Sequence, residues 1–82
     1  MELKQLEYFQ MTSRLKYTRA AKRLSVSQPN ITVAIKKLEA ELGIQLFERS
    51  QKQLSLTPEG AVFLNRIELA LRNIQDAVLE IK

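Results

Sequence analysis

Three backbone punctuation marks, Pro29, Gly43 and Pro58, constrain this chain more than any other feature. Proline lacks an N–H and is tolerated in the first turn of a helix, where that donor has no partner. Ser27 stands just before the first proline and Thr57 directly before the second, and both hydroxyls are good helix N-caps. Gly43 supplies the left-handed residue with which many helices end. One helix is therefore predicted from the Ser27 cap to Gly43, and another from Pro58 to the end of the chain. Ile31, Ile35, Leu38 and Leu42 step by four, three and four residues, so the first of these helices buries one face.

Upstream, Leu3, Leu6, Phe9 and Met11 recur at helical spacing and predict an amphipathic helix over residues 3–13. The segment SRLKY interrupts it. Thr18 is then an N-cap for RAAKRL, a short helix whose Ala20 and Ala21 allow a neighbour to approach closely. Between Gly43 and Thr57, the apolar runs of IQLFERSQKQLSLT flank a polar centre, the pattern of a two-stranded hairpin. The expected fold is mainly α: three helices, a short hairpin, and a long final helix.

At 82 residues the chain is one small domain with a modest core. It has neither cysteine nor histidine, which removes disulfides, thiolate metal sites, the commonest general base and the commonest transition-metal ligand. There is no Gly-rich phosphate loop and no close pair of acids in a pocket-like setting, so an enzyme is not expected, and neither is a metal or other cofactor. No apolar run approaches the roughly 20 residues that span a bilayer, and no signal-peptide apolar region is present. A soluble, cytoplasmic protein without membrane contact is expected.

The net charge of +4 is unevenly distributed. From Tyr8 to Leu38 there are seven basic residues (Arg14, Lys16, Arg19, Lys22, Arg23, Lys36 and Lys37) and no acid. From Glu59 onward, three basic residues face four acidic ones. The positive field is thus concentrated where a polyanion would bind; the alternative is a solvated helix surface that is merely basic.

Two helices joined by the short turn SVS, the second opening on small polar residues, describe a helix-turn-helix. In that motif the leading turns of the second helix meet base edges in the major groove. Gln28 and Asn30 carry amides that can pair bidentately with adenine, and the Thr32 hydroxyl can reach a base or a phosphate. Ser27, Pro29 and the free N–H groups of the first turn form the positive end of the helix dipole, suited to a phosphate. Lys36 and Lys37 lie further along and suit charge neutralisation of the backbone. Thr18 and Arg19 on the preceding helix are further candidate DNA-binding residues. Arg49, Ser50, Gln51 and Lys52 form the hairpin tip, where an arginine can enter a narrow minor groove. An ordinary solvated turn is the alternative for that tip.

On the last helix Leu64, Ile67, Leu71, Ile74, Val78 and Ile81 step by 3, 4, 3, 4 and 3. This heptad seam extends past what the preceding residues could cover and predicts pairing with a second copy of the chain.

Residues 17–60, YTRAAKRLSVSQPNITVAIKKLEAELGIQLFERSQKQLSLTPEG, resemble the N-terminal winged helix-turn-helix of LysR-type transcriptional regulators. The Ala-Ala pair before Leu24, then SVSQP, LEAELG, LFER and the Thr before Pro-Glu-Gly carry the resemblance. It implies a bacterial, DNA-binding regulator with residues 1–57 as the winged domain and 58–82 as the linker helix for dimerisation. It also implies a homodimer, or a tetramer in a full-length protein, and a following effector-binding domain that takes a small molecule. One departure stands out: the family usually places a basic residue and then glutamine after the Ser/Thr of this motif, where this chain has Val33 and Ala34. Val33 can instead pack against a thymine methyl.

Two other classes of function compete. A protein-interaction module would explain the heptads but not the acid-free basic stretch. An RNA-binding winged helix lacks here the cluster of exposed aromatics that stacks splayed bases.

Overall fold

The computed structural model of the protein describes residues 1–49 and 54–82, with Arg49 described in its backbone alone. Helix α1 spans Leu3–Leu24, α2 Gln28–Leu42 and α3 Pro58–Glu80, with strands β1, Phe47–Arg49, and β2, Leu54–Leu56, between the last two helices. The strands pair antiparallel, Phe47 opposite Leu56 and Arg49 opposite Leu54.

Each helix boundary predicted at Ser27, Gly43 and Thr57 is closed by a local hydrogen bond. The Ser27 hydroxyl accepts from the Asn30 N–H at 3.3 Å, and the Thr57 hydroxyl accepts from the Gly60 N–H at 2.9 Å. Gly43, at φ 72°, closes α2 with its N–H on the Glu39 carbonyl. Gly43 is the one glycine in the left-handed region.

The expected break within SRLKY lies at Lys16, whose φ of 67° and ψ of 175° bend α1 without a proline or glycine. The first segment runs two residues beyond the expected limit of residue 13, up to that bend. The bend lets Phe9 and the Ala20–Ala21 pair face one core from the two segments. The Lys16 ammonium then donates to the Leu54 carbonyl on β2. Backbone in this region is nearly confined to glycine and costs about 1–3 kcal/mol for other residues. Lys16→Gly should therefore be more stable than Lys16→Ala by about 1 kcal/mol, since both lose the ammonium and only glycine relieves the bend. In a regular helix the order is reversed by about the same amount. Urea unfolding of the two variants gives the sign directly.

The core is Phe9, Ile31, Ile35, Leu38 and Leu46, all fully buried, with Ala20, Ala21 and Phe47 around them. Phe9 meets Phe47 edge-on at 5.5 Å between ring centroids, and Phe63 of α3 stands 5.6 Å away on another side. Burying such rings contributes both area and edge-to-face contact. The face of α1 differs from the expected one: Leu3 is exposed, and Gln5 and Thr12 are buried with Phe9. Gln5 is committed to a cap, its side-chain carbonyl accepting from the Glu2 N–H at 2.8 Å.

Two contacts tie α3 and the hairpin to the body. Arg14 donates through Nη2 to Glu68 at 2.6 Å, and that hydrogen bond holds the Glu68 carboxyl below its ordinary range. One Glu39 carboxylate oxygen accepts from the Leu46 and Phe47 N–H groups at 2.7 and 3.2 Å, fixing the start of β1.

Candidate nucleic-acid interface

The apolar face of α2 is spent on the core, so its opposite face is what the protein shows to solvent. Gln28, Pro29, Asn30, Val33, Lys36 and Lys37 are all exposed. Residues three and four apart are neighbours on a helix surface. Val33 therefore sits at the centre of this face, with Pro29 and Asn30 one turn before it and Lys36 and Lys37 one turn after. The first turn of α2 contains no acid, and its capping serine is itself exposed. An anion there meets the positive end of the helix dipole, with no acid inside the turn and Lys36 and Lys37 two turns further along.

Thr32 is partly exposed, and its hydroxyl donates to the Gln28 carbonyl at 3.2 Å. Its proton is committed within the helix, and donation to a base or phosphate requires breaking that bond. Thr18 and Arg19 are exposed where α1 resumes after the bend. Of the seven basic residues between Tyr8 and Leu38, two are engaged within the fold: Arg14 pairs with Glu68, and Lys16 caps β2. Arg19, Lys22, Arg23, Lys36 and Lys37 remain as the exposed cationic set of that stretch.

Arg49 ends β1 opposite Leu54, which places it where the hairpin leaves its ladder. The other proposed tip residues, Ser50, Gln51 and Lys52, lie outside the described residues, as does the Arg49 side chain. Sequence reasoning did not include Lys4 and Tyr8 in the site. A cleft lined by Lys4 and Tyr8 of α1 and by Asn30, Val33 and Lys37 of α2, with the acid Glu2 at the start of α1, groups them through helix packing, which leaves no local signal.

The heptad seam divides in two. Ile67 and Leu71 are buried by this chain and Leu64 packs against its core, whereas Ile74 and Val78 are 44% and 42% exposed and Ile81 is exposed almost completely. Leu64, Ile67 and Leu71 thus serve the monomer's own packing, which leaves Ile74, Val78 and Ile81 as the unpartnered part of the seam. Leu71 and Ile74 line a cleft with Leu3, Met11 and Leu24 of α1, so the exposed part continues directly from the buried part. Val62 and Leu69, off the seam, are exposed as well. Among the described residues no helix is long and apolar enough to cross a membrane.

Residues 3–61 match the family described as bacterial regulatory helix-turn-helix protein, lysR family. The chain is 45% identical over 84 residues to the HTH-type transcriptional regulator BsdA of Bacillus subtilis, covering all of this chain and 29% of BsdA. It is 39% identical to the HTH-type transcriptional regulator BenM of Acinetobacter baylyi, over 95% of this chain and 26% of BenM. The chain thus spans less than a third of the length of these curated relatives. Its structure is similar to that of the BenM DNA-binding domain in complex with benA site 1 DNA (TM-score 0.93, 38% identity), over 99% of this chain and 92% of that one. It is also similar to that of the CbnR DNA-binding domain in complex with DNA (TM-score 0.81, 40% identity), with both chains covered fully. The chain belongs to the LysR family of bacterial regulatory helix-turn-helix proteins.

Proposed function

We propose that this chain binds double-stranded DNA sequence-specifically, as a dimer, and is the DNA-binding part of a LysR-type transcriptional regulator. Helix α2 enters the major groove, and the hairpin, with Arg49 at its outer end, lies at the minor groove. The observation that carries this reading is the exposed face of α2, which offers amides first and lysines afterwards, with no acid before Glu39. The similarity to DNA-bound BenM and CbnR domains supports it. Residues 1–57 supply the groove contacts and residues 58–82 the linker helix, and the chain performs no catalysis. The working compartment is the cytoplasm. Effector binding belongs to a further domain of a full-length regulator.

Amides and lysines should separate in a binding experiment. Gln28 and Asn30 stand where a helix in the major groove meets base edges, and Lys36 and Lys37 stand about two turns later, nearer the phosphates. Losing a good bidentate base contact costs roughly 1–3 kcal/mol at one position of the site. Losing a phosphate contact weakens all sequences alike and reduces the salt slope by about one. Gln28→Ala should relax preference at one base pair per half-site and leave the salt slope nearly unchanged, and Lys36→Ala should do the reverse. The measurement is a panel of single-base operator changes, titrated at several salt concentrations. Uniform loss across that panel for Gln28→Ala would make the amide a positioning group only.

A further inference from the structure

The residue at the centre of the DNA-facing surface of α2 cannot form a hydrogen bond. Val33 is 52% exposed, and its neighbours one turn away on either side are Pro29, Asn30, Lys36 and Lys37. A shallow depression on the same face is lined by Gln28, Pro29, Thr32 and Val33. Of these four, Pro29 and Val33 are apolar, and the Thr32 hydroxyl proton is held by the Gln28 carbonyl. Gln28 is the remaining donor on that surface. A helix pressed into the major groove would thus bring a small apolar surface to the base edges, with one amide beside it.

The major groove offers one apolar group to such a surface, the C5 methyl of thymine. From this, and resting on the DNA-binding reading above, we infer that Val33 is a specificity-determining residue that recognises a thymine methyl in each half-site. The occupant of the depression is that methyl group, with the Gln28 amide placed to read an adenine edge beside it. The partner chemistry follows from the surroundings. Lysines on the following turn hold the backbone of a polyanion, and no acid on the first turn opposes it.

The test changes one methyl at a time. A high-affinity duplex is selected from a random pool with this 82-residue chain, and each thymine in turn is replaced by deoxyuridine, which preserves base pairing and every hydrogen-bonding group. Binding of each duplex is measured by fluorescence anisotropy for the wild-type chain and for Val33→Ala. Val33 packs into no core, so folding of the variant should be unchanged, which circular dichroism checks. One position per half-site should lose about fourfold in affinity on substitution, the worth of one buried methyl, and substitution in both half-sites should lose about sixteenfold. For Val33→Ala the thymine-to-uracil penalty at that position should shrink to near unity, while its salt slope stays that of wild type. A wild-type chain indifferent to every thymine-to-uracil change would overturn the inference and leave DNA binding standing. So would a penalty that persists undiminished in Val33→Ala, since another side chain would then hold the methyl. Failure to select or bind any duplex would overturn both the inference and the reading on which it rests.

Discussion

Gly60→Ala should be the most destabilising single-methyl change in this chain, lowering stability by about 3 kcal/mol. A Cβ at position 60 would lie 2.1 Å from the Leu46 carbonyl oxygen and 3.0 Å from its carbon. Both are backbone atoms, so no rotamer relieves the overlap. The same segment is tied to the start of α3 by the Thr57 N–H on the Leu46 carbonyl at 3.0 Å and the Thr57 hydroxyl on the Gln45 carbonyl at 2.7 Å. To admit the methyl, α3 must lift away from the strand connection. That strains these bonds and draws Phe63 from Phe9. The gain in helix propensity from Gly to Ala, at most about 1 kcal/mol, does not offset this. Gly43→Ala is the natural control, for its added Cβ meets nothing within 4 Å and its cost is the left-handed φ of 72° alone. That cost is about 1–2 kcal/mol. Thermal and urea unfolding at one fixed protein concentration should rank Gly60→Ala below Gly43→Ala, with Tm for the former reduced by roughly 10–20 °C. The reverse ranking would mean that α3 is not seated on Leu46.

Gly60 also shows where sequence reasoning stops. Thr57, Pro58 and Gly43 were legible because each acts on backbone groups within one helical turn. The need for glycine at position 60 comes from a strand connection 14 residues earlier (60 − 46), and nothing within TPEG announces it. The burial of α1 failed to be legible for a related reason. Leu3 has the right period and lies outside the core, while Gln5 is buried because its amide is satisfied by the Glu2 cap. Periodicity reads side-chain type and does not see that satisfaction. In the interface, the amide-then-lysine order of α2 could be read along one helix. The neutralisation of Arg14 by Glu68, 54 residues away, could not. That Lys4 and Lys37 line one cleft was equally hidden, because both facts depend on how helices pack.

Ile74→Glu combined with Val78→Glu should convert the protein from dimer to monomer and leave its fold intact. The division of the heptad seam selects these positions. Leu71 is only 7% exposed, and a glutamate there would bury a charge in the monomer's own packing and confuse unfolding with dissociation. Ile74 and Val78 are more than two-fifths exposed and lie outside the core, and although Ile74 borders the α1 cleft, a glutamate there can turn to solvent. The end of α3 that carries them has no buried residue after Leu71, and a helix end of that length is marginal in water without a packed face. In the proposed dimer a second copy supplies that face. With 23 residues α3 is about 34 Å long, close to the 34–36 Å of one DNA turn, so a dimer built along it can hold two α2 helices at half-site spacing. Linking two binding modules in this way raises affinity by roughly 10²–10⁴ without any new contact to DNA. The double variant should therefore lose at least about a hundredfold on a duplex with two half-sites, yet bind an isolated half-site as the wild-type chain does. Sedimentation gives the mass, and titration of the two duplexes gives the ratio. An unchanged mass would place the dimer contact elsewhere, and equal losses on both duplexes would mean that the substitutions act on the DNA-contacting surface itself.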